Sequence, residues 1–272
     1  MSEGDNNIIN ISNGSNTYIN DDPKIGYYIR QGRANEDRLT IANIGDWKYL
    51  AVFDGHGNPA KTPEEIRKEH SVLFLQNNLH IFLEKRLKTS SKSDDEISIA
   101  IRETFIEVDK YLYDNYNWRC AGSCATIVLI TENKVFQINL GDSRSIIFTK
   151  LNSENKIINE TVDCTPYRDD EKIRIKSVGG TIKLSDCLRV NGVISISRAF
   201  GDFSEKYINF KYSPDGPISV IPEIIISEKS TNDYIILASD GLIEAFYSGS
   251  QQLIDRICED LEKNYSLYEI CE

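Results

Sequence analysis

The stretch Tyr49-Leu50-Ala51-Val52-Phe53-Asp54-Gly55-His56-Gly57 is the most informative part of this chain. Its apolar run predicts a strand that carries the carboxylate of Asp54 to the rim of a sheet. The glycine that follows allows the backbone to turn sharply and to approach a ligand closely. A second run, Tyr234-Ile235-Ile236-Leu237-Ala238-Ser239-Asp240-Gly241, ends in the same way. Two such carboxylates, far apart in sequence, are suited to meet at one hard cation.

Composition limits the class of protein. The chain has 272 residues, enough for one large domain or two small ones, and 40% of them are hydrophobic, which supports a real core. Its net charge of −11 argues against a nucleic-acid partner, whose phosphates would repel it. The apolar runs are only of strand length, which predicts no membrane span.

The six cysteines form no Cys-x-x-Cys pair, which predicts reduced thiols rather than a disulfide framework. Without a secretory signal at the N-terminus, the expected location is intracellular and cytoplasmic.

The pattern along the chain predicts one domain with helices and strands in alternating groups. Residues 1–22 are polar and Asn/Ser-rich, which predicts a flexible tail, and residues 23–272 form the domain. Helical spacing of apolar residues predicts two long helices, one around Leu75 and Leu79 and one around Ile101 and Phe105. Antiparallel-looking strands stand before and after these helices. The arrangement predicts an α+β fold in which sheets are covered by helices.

Acidic residues at turns next to apolar strands indicate a metal site. Oxygen donors of this kind suit Mg²⁺ or Mn²⁺, and no His/Cys cluster of the kind that zinc prefers is present in the sequence. His56 lies between two glycines beside Asp54, which favours a functional role, whereas His70 and His80 fall in a predicted helix and are expected to be structural. The acidic candidates are Glu36, Asp37, Asp54, Asp142, Asp240 and Glu244.

Six ordered motifs complete a resemblance to a known family. They are Gln31-Gly32-Arg33-Ala34-Asn35-Glu36-Asp37-Arg38, Val52-Phe53-Asp54-Gly55-His56-Gly57, Gly122-Ser123-Cys124-Ala125-Thr126, Asn139-Leu140-Gly141-Asp142-Ser143-Arg144, Arg189-Val190-Asn191-Gly192-Val193-Ile194-Ser195-Ile196-Ser197-Arg198-Ala199-Phe200-Gly201-Asp202 and Ile236-Leu237-Ala238-Ser239-Asp240-Gly241-Leu242. With these motifs the chain resembles the type 2C metal-dependent Ser/Thr protein phosphatases over roughly residues 25–265. The resemblance implies a single α-β-β-α domain, two antiparallel sheets between helices, with a two-metal centre at one end.

The resemblance also assigns metal ligands. By analogy Asp54 bridges two Mg²⁺ or Mn²⁺ ions, the carbonyl of Gly55 and a water-mediated Glu36 hold one ion, and Asp240 holds the other. The positions that match the supporting shell and a third, weaker ion are Asp37, Asp142, Asp240 and Glu244.

Two further positions match residues that act on the substrate. His56 matches the proposed general acid, and Arg33 matches the arginine that binds substrate phosphate. Because the spacing from Arg33 to Glu36 is one residue tighter than usual, Arg30 is an alternative. Arg198 and Asp202, in the longest motif, are expected to pair with each other and brace the fold.

The chain departs from the family pattern at its C-terminal end. The family has an Asp-Asn pair that opens a last, central strand and supplies a metal ligand, and no Asp-Asn occurs after Gly241. The expectation is a C-terminally incomplete domain that lacks one metal ligand and one core strand.

Two functional hypotheses follow. One is Mg²⁺- or Mn²⁺-dependent hydrolysis of phosphoserine and phosphothreonine in protein substrates. The other is a catalytically impaired relative that binds phosphoproteins or regulates a partner.

Overall fold

Two β-sheets form the centre of the computed structural model, which describes residues 7–12, 24–29, 36–57, 71–88, 93–115, 121–150 and 155–272. The strands are β1 (Asn7–Ser12), β2 (Ile25–Ile29), β3 (Arg38–Ile44), β4 (Trp47–Gly57), β5 (Ala121–Ile130), β6 (Lys134–Leu140), β7 (Arg144–Lys150), β8 (Asn155–Glu160), β9 (Ile182–Leu184), β10 (Leu188–Val190), β11 (Phe200–Gly201), β12 (Tyr207–Ile208), β13 (Lys211–Tyr212), β14 (Glu223–Glu228) and β15 (Asp233–Ala238). The helices are α1 (Ser71–Leu87), α2 (Asp94–Asn115), α3 (Asp169–Ser177), α4 (Asp240–Ile243), α5 (Ser250–Glu262) and α6 (Leu267–Cys271), with a 3-10 turn at Phe203–Glu205.

The apolar run of β4 is continuous because both faces of this strand are buried. Leu50 and Val52 point into the core between the two sheets, whereas Tyr49, Ala51 and Phe53 point into the core beneath the helices. All five side chains are fully buried. A strand covered on both faces needs apolar residues at every position rather than at alternate ones. The burial of β4 on both faces therefore positions it inside a layered sandwich.

The layers agree with the predicted α-β-β-α fold. The first sheet has the order β14-β6-β5-β4-β3, with β11 added along β5, and all its pairings are antiparallel. The second sheet has the order β2-β1-β15-β7-β8. The apolar faces of α1 and α2 pack on the first sheet, and those of α5 and α6 pack on the second. The two long helices predicted from apolar spacing are thus confirmed.

The N-terminal strand β1 differs from the prediction. Residues 7–12 were expected to belong to a flexible tail, but they pair in parallel with β2 on one side and β15 on the other. Strand β1 therefore lies in the middle of the second sheet. Among the described residues no strand follows β15, so the absence of the C-terminal strand stays a prediction. The sequence Asn-Ile-Ile-Asn-Ile-Ser is short and gives little local evidence of a strand. Its partner β15 lies near the opposite end of the chain.

The last two helices close the outer face of the second sheet. Helix α6 follows α5 and begins at a capping box formed by Ser266 and Glu269. It crosses β2 so closely that a Cβ atom on Gly26 would lie 2.2 Å from the carbonyl oxygen of Leu267. Along the described ranges, every helix is too short or too polar to cross a bilayer.

Candidate active site

Three carboxylates from separate elements converge at one rim of the sandwich. Asp54 lies near the end of β4, Asp142 lies in the turn between β6 and β7, and Asp240 begins α4 directly after β15. A carboxylate oxygen of each lies within 4.8 Å of an oxygen of the other two. The turn at Asp142 depends on Gly141, whose φ of 113° disfavours a side chain and whose added Cβ would meet Cys124 Sγ at 2.3 Å. Both sheets thus contribute to one acidic centre.

The electrostatics of this centre favour a bound cation. Burial, followed by the charges of Asp37, Asp240 and Asp142, raises the pKa of Asp54 well above its usual range. Burial and the charge of Asp240 raise the pKa of Asp142 to about 6, although the Cys124 thiol donates a hydrogen bond to its Oδ1 at 3.2 Å. Carboxylates held this close repel one another unless a cation compensates them. The donors are all oxygen atoms, which fits Mg²⁺ or Mn²⁺.

These pKa shifts predict how pH affects stability. Because the folded-state pKa of Asp142 is raised from 3.8 to about 6, its contribution favours the metal-free fold below pH 4 and is lost as pH rises through about 6. Metal binding requires deprotonated ligands and therefore strengthens over the same range. We expect the melting temperature in EDTA to fall between pH 5 and pH 7.5, and the stabilisation by Mn²⁺ to grow. Asp142→Asn should flatten both trends, and unchanged profiles in that variant would contradict the assignment.

The remaining acidic candidates differ in their placement. Asp37 is buried, and its Oδ2 accepts a hydrogen bond from Ser239 Oγ at 3.0 Å, which ties the chain before β3 to the start of α4. Glu36 lies beside Gly55, because a Cβ on that glycine would meet the Glu36 carbonyl oxygen at 2.9 Å. Glu244 is exposed one helical turn after Asp240 and is not part of the three-carboxylate group. Arg33 and its alternative Arg30 lie outside the described residues.

The three carboxylates open into a cavity of about 310 Å³. His56 lies on its wall, two residues after Asp54. Arg189, which the sequence did not mark as a site residue, also lines it and is held by Asp186 through two hydrogen bonds of 2.9 and 2.8 Å. The cavity walls comprise Asp54, His56, Gly57, Cys124, Asp142, Arg189, Val193, Ile194, Ser195, Ile196, Asp202, Ser204, Glu205 and Asp240.

His56 has a carboxylate partner that the sequence did not predict. Its Nε2 lies 2.6 Å from Oδ2 of Asp202. Burial lowers the pKa of His56, but the charge and hydrogen bond of Asp202 outweigh it, so the pKa is raised. The expected pairing of Asp202 with Arg198 is wrong, because Arg198 instead donates to Glu171 Oε1 at 2.6 Å. Neither the His56–Asp202 pair nor the Arg198–Glu171 pair could be predicted from the sequence, since each joins residues that are far apart in the chain and belong to different elements.

Comparison with known proteins agrees with this geometry. A family model described as "Protein phosphatase 2C" matches residues 32–272. The chain belongs to this family. The match includes all three carboxylates of the acidic centre and His56, so the resemblance suggested by the six motifs is confirmed.

The relatives and solved structures extend the comparison. Protein phosphatase 1A of Mus musculus is 31% identical over 239 residues, which are 85% of this chain and 58% of that protein. Protein phosphatase 2C homolog 2 of Aspergillus fumigatus is 28% identical over 232 residues, 82% of this chain and 48% of that protein. A phosphatase structure from Toxoplasma gondii superposes with a TM-score of 0.70 at 20% identity, covering 86% of this chain and 81% of that chain. The Toxoplasma gondii structure therefore has the same fold as this chain. This chain spans only about half the length of the two curated relatives named above.

Proposed function

We propose that this chain hydrolyses phosphoserine and phosphothreonine in proteins with a metal-activated water. The observation that carries the proposal is the convergence of Asp54, Asp142 and Asp240 within 4.8 Å, in the same cavity as His56. Family membership adds the reaction type, since the family is named for protein phosphatase activity. The acidic cavity alone would repel a phosphate dianion, so substrate binding here needs a compensating cation.

The residues divide into metal-holding and proton-donating groups. Asp54, Asp240 and the Gly55 carbonyl, with Glu36 through water, would hold two ions, and Asp37 would support them. Asp142, Asp240 and Glu244 would hold a weaker third ion. When bound, such ions lower the pKa of a water and stabilise charge on the transferred phosphoryl group. Arg33, with Arg30 as the alternative, is the proposed phosphate-binding residue.

His56 would complete the reaction as general acid. As the water oxygen bonds to phosphorus it loses one proton to solvent, the bond from phosphorus to the seryl oxygen breaks, and the electron pair of that bond stays on the seryl oxygen. A seryl alkoxide is a poor leaving group, so it needs a proton as the bond breaks. A protonated imidazole on the cavity wall can supply that proton.

The Asp-Asn ligand of the family is the one element without a counterpart among the described C-terminal residues. An Asp5-Asn6 pair does precede β1, but β1 runs parallel to β15, with Asn7 opposite Tyr234 and Ile11 opposite Ala238. The Asn7 end of β1 is therefore the end remote from Asp240. We expect Asp5→Asn to leave Mn²⁺ affinity unchanged in calorimetry. A roughly tenfold or greater loss, which is at least the effect of removing an outer-shell partner of a metal, would contradict this expectation and indicate that Asp5 acts on the metal site.

Phosphate release from a phosphoserine peptide tests the proposed function directly. Purified protein should turn over this substrate with millimolar Mn²⁺ or Mg²⁺ and stop when EDTA is added, because the acidic centre is then uncompensated. Vanadate-type inhibitors of cysteine phosphatases should have no effect through the Cys124 or Cys164 thiol, since burial raises the pKa of both groups. Binding of the phosphopeptide without turnover at any Mn²⁺ concentration would favour the second hypothesis, a phosphoprotein-binding relative with an incomplete ligand set.

A further inference from the structure

We propose that Asp202 is the positioning residue for His56, and that it fixes which ring nitrogen meets the substrate. The inference rests on the proposed role of His56 as general acid. It starts from the contact of 2.6 Å between His56 Nε2 and Asp202 Oδ2, two side chains that line the same cavity. Because Nε2 is engaged by Asp202, Nδ1 is the ring nitrogen left to donate a proton to the leaving seryl oxygen.

The sheet register explains how the two side chains meet. His56 of β4 pairs with Gly122 of β5, and Gly201 of β11 pairs with the same Gly122 from the other side. His56 and Asp202 therefore approach each other across a glycine. A Cβ on Gly122 would lie 2.2 Å from Asp202 Oδ2 and 2.7 Å from His56 Nε2. The contact thus exists only because residue 122 has no side chain.

The backbone around Asp202 is held firmly. The Asp202 N–H donates to the Ala121 carbonyl at 2.9 Å, and the Gly201 N–H donates to Asp109 Oδ1 at 2.8 Å. Asp109 is completely buried and forms an ion pair of 2.9 Å with the equally buried Lys206. A buried, fully bonded network of this kind rigidifies its surroundings. Asp202 is consequently fixed at the cavity wall, with a φ of 49° that few residue types adopt.

That backbone conformation determines the best test variants. Asp202→Gly removes the carboxylate and tolerates a positive φ, so it does not add strain. Asp202→Asn keeps the size and an acceptor oxygen and also tolerates this region. Asn209→Gly, at an exposed position with a φ of 50°, makes the same kind of backbone change outside the cavity wall and serves as the matched control.

We expect Asp202→Gly to lower kcat for a phosphoserine peptide by roughly tenfold or more, because a misplaced catalytic group loses much of its effect. The same variant should change kcat for an aryl phosphate, whose leaving group needs no proton, by less than about threefold. KM and Mn²⁺ affinity should stay unchanged. Asp202→Asn should recover most of the rate, and Asn209→Gly should match the wild type. In a His56→Ala background, Asp202→Gly should cause no further loss.

Equal losses on both substrates, or an undiminished loss in the His56→Ala background, would overturn the proposal and show a purely structural role. A second measurement does not depend on turnover. In the Mg²⁺-loaded protein, NMR should show a hydrogen-bonded imidazole N–H signal from His56 that disappears in Asp202→Gly. A signal unchanged by that substitution would also overturn the proposal. Wild-type protein that shows the signal but no turnover would refute the proposed hydrolase function instead.

Discussion

Replacing Asp54 by asparagine is expected to reduce phosphatase activity by roughly 10³-fold, since a catalytic metal contributes several kcal/mol to transition-state stabilisation. Asp54 is one of the three converging carboxylates and is the proposed bridge between two ions. Mn²⁺ affinity measured by calorimetry should fall with the activity. The metal-free variant should melt at a higher temperature than the metal-free wild type. Burial and three neighbouring carboxylates disfavour the Asp54 charge, and asparagine removes that penalty while keeping the shape.

Asp54→Asn is thus expected to lower activity and Mn²⁺ affinity but to raise the melting temperature of the metal-free protein, and this combination makes the prediction specific. A matched control is Asp233→Asn, which also replaces an aspartate whose pKa is raised by burial but lies at the start of β15, away from Asp240. This control should retain activity and Mn²⁺ affinity. An Asp54→Asn protein with wild-type Mn²⁺ affinity would disprove the assignment of Asp54 as a ligand. A variant that melts lower than the wild type in EDTA would show that its charge is compensated within the fold.

Removal of residues 1–12 is expected to be the most destabilising change outside the site. Strand β1 has five registered pairs with β2 and five with β15, so its loss opens the second sheet in the middle. Each backbone hydrogen bond contributes roughly 1 kcal/mol net. For a chain of this size each kcal/mol shifts the melting temperature by about 2–4 °C, so we expect a decrease of roughly 10 °C or more. The exposed edges of β2 and β15 should also cause self-association, visible by analytical ultracentrifugation.

A shorter truncation controls for the loss of polar residues alone. A chain that lacks only residues 1–6 keeps β1 and should melt close to the 272-residue chain. A synthetic peptide of residues 5–14, added to the chain that lacks residues 1–12, should restore part of the lost stability. If the 1–12 deletion leaves a monomer with an unchanged melting temperature, β1 contributes nothing to the sheet and the gap between its neighbours is closed in another way.

Much of the fold could be predicted from the sequence because its signals are local. The continuous apolar run of β4 identifies a strand that is buried on both faces, and the stripe around Ile101 and Phe105 identifies α2. The positions of Asp54, Asp142 and Asp240 at the ends of strands or in turns also appear in the sequence. Such features depend on residues within one element, so they need no knowledge of its neighbours.

The tertiary structure alone decided the pairings between distant elements. Strand β1 has a weak local pattern, and its place in the sheet is set by β2 and β15 rather than by its own residues. The pairing of His56 with Asp202 arises because β4 and β11 flank the same glycine of β5. Arg198 contacts Glu171 of α3 rather than Asp202. Sequence thus determined which chemical groups this 2C-family chain has and which elements carry them. Which groups touch was fixed by sheet order and register, because those bring together residues whose separation along the chain carries no local signal.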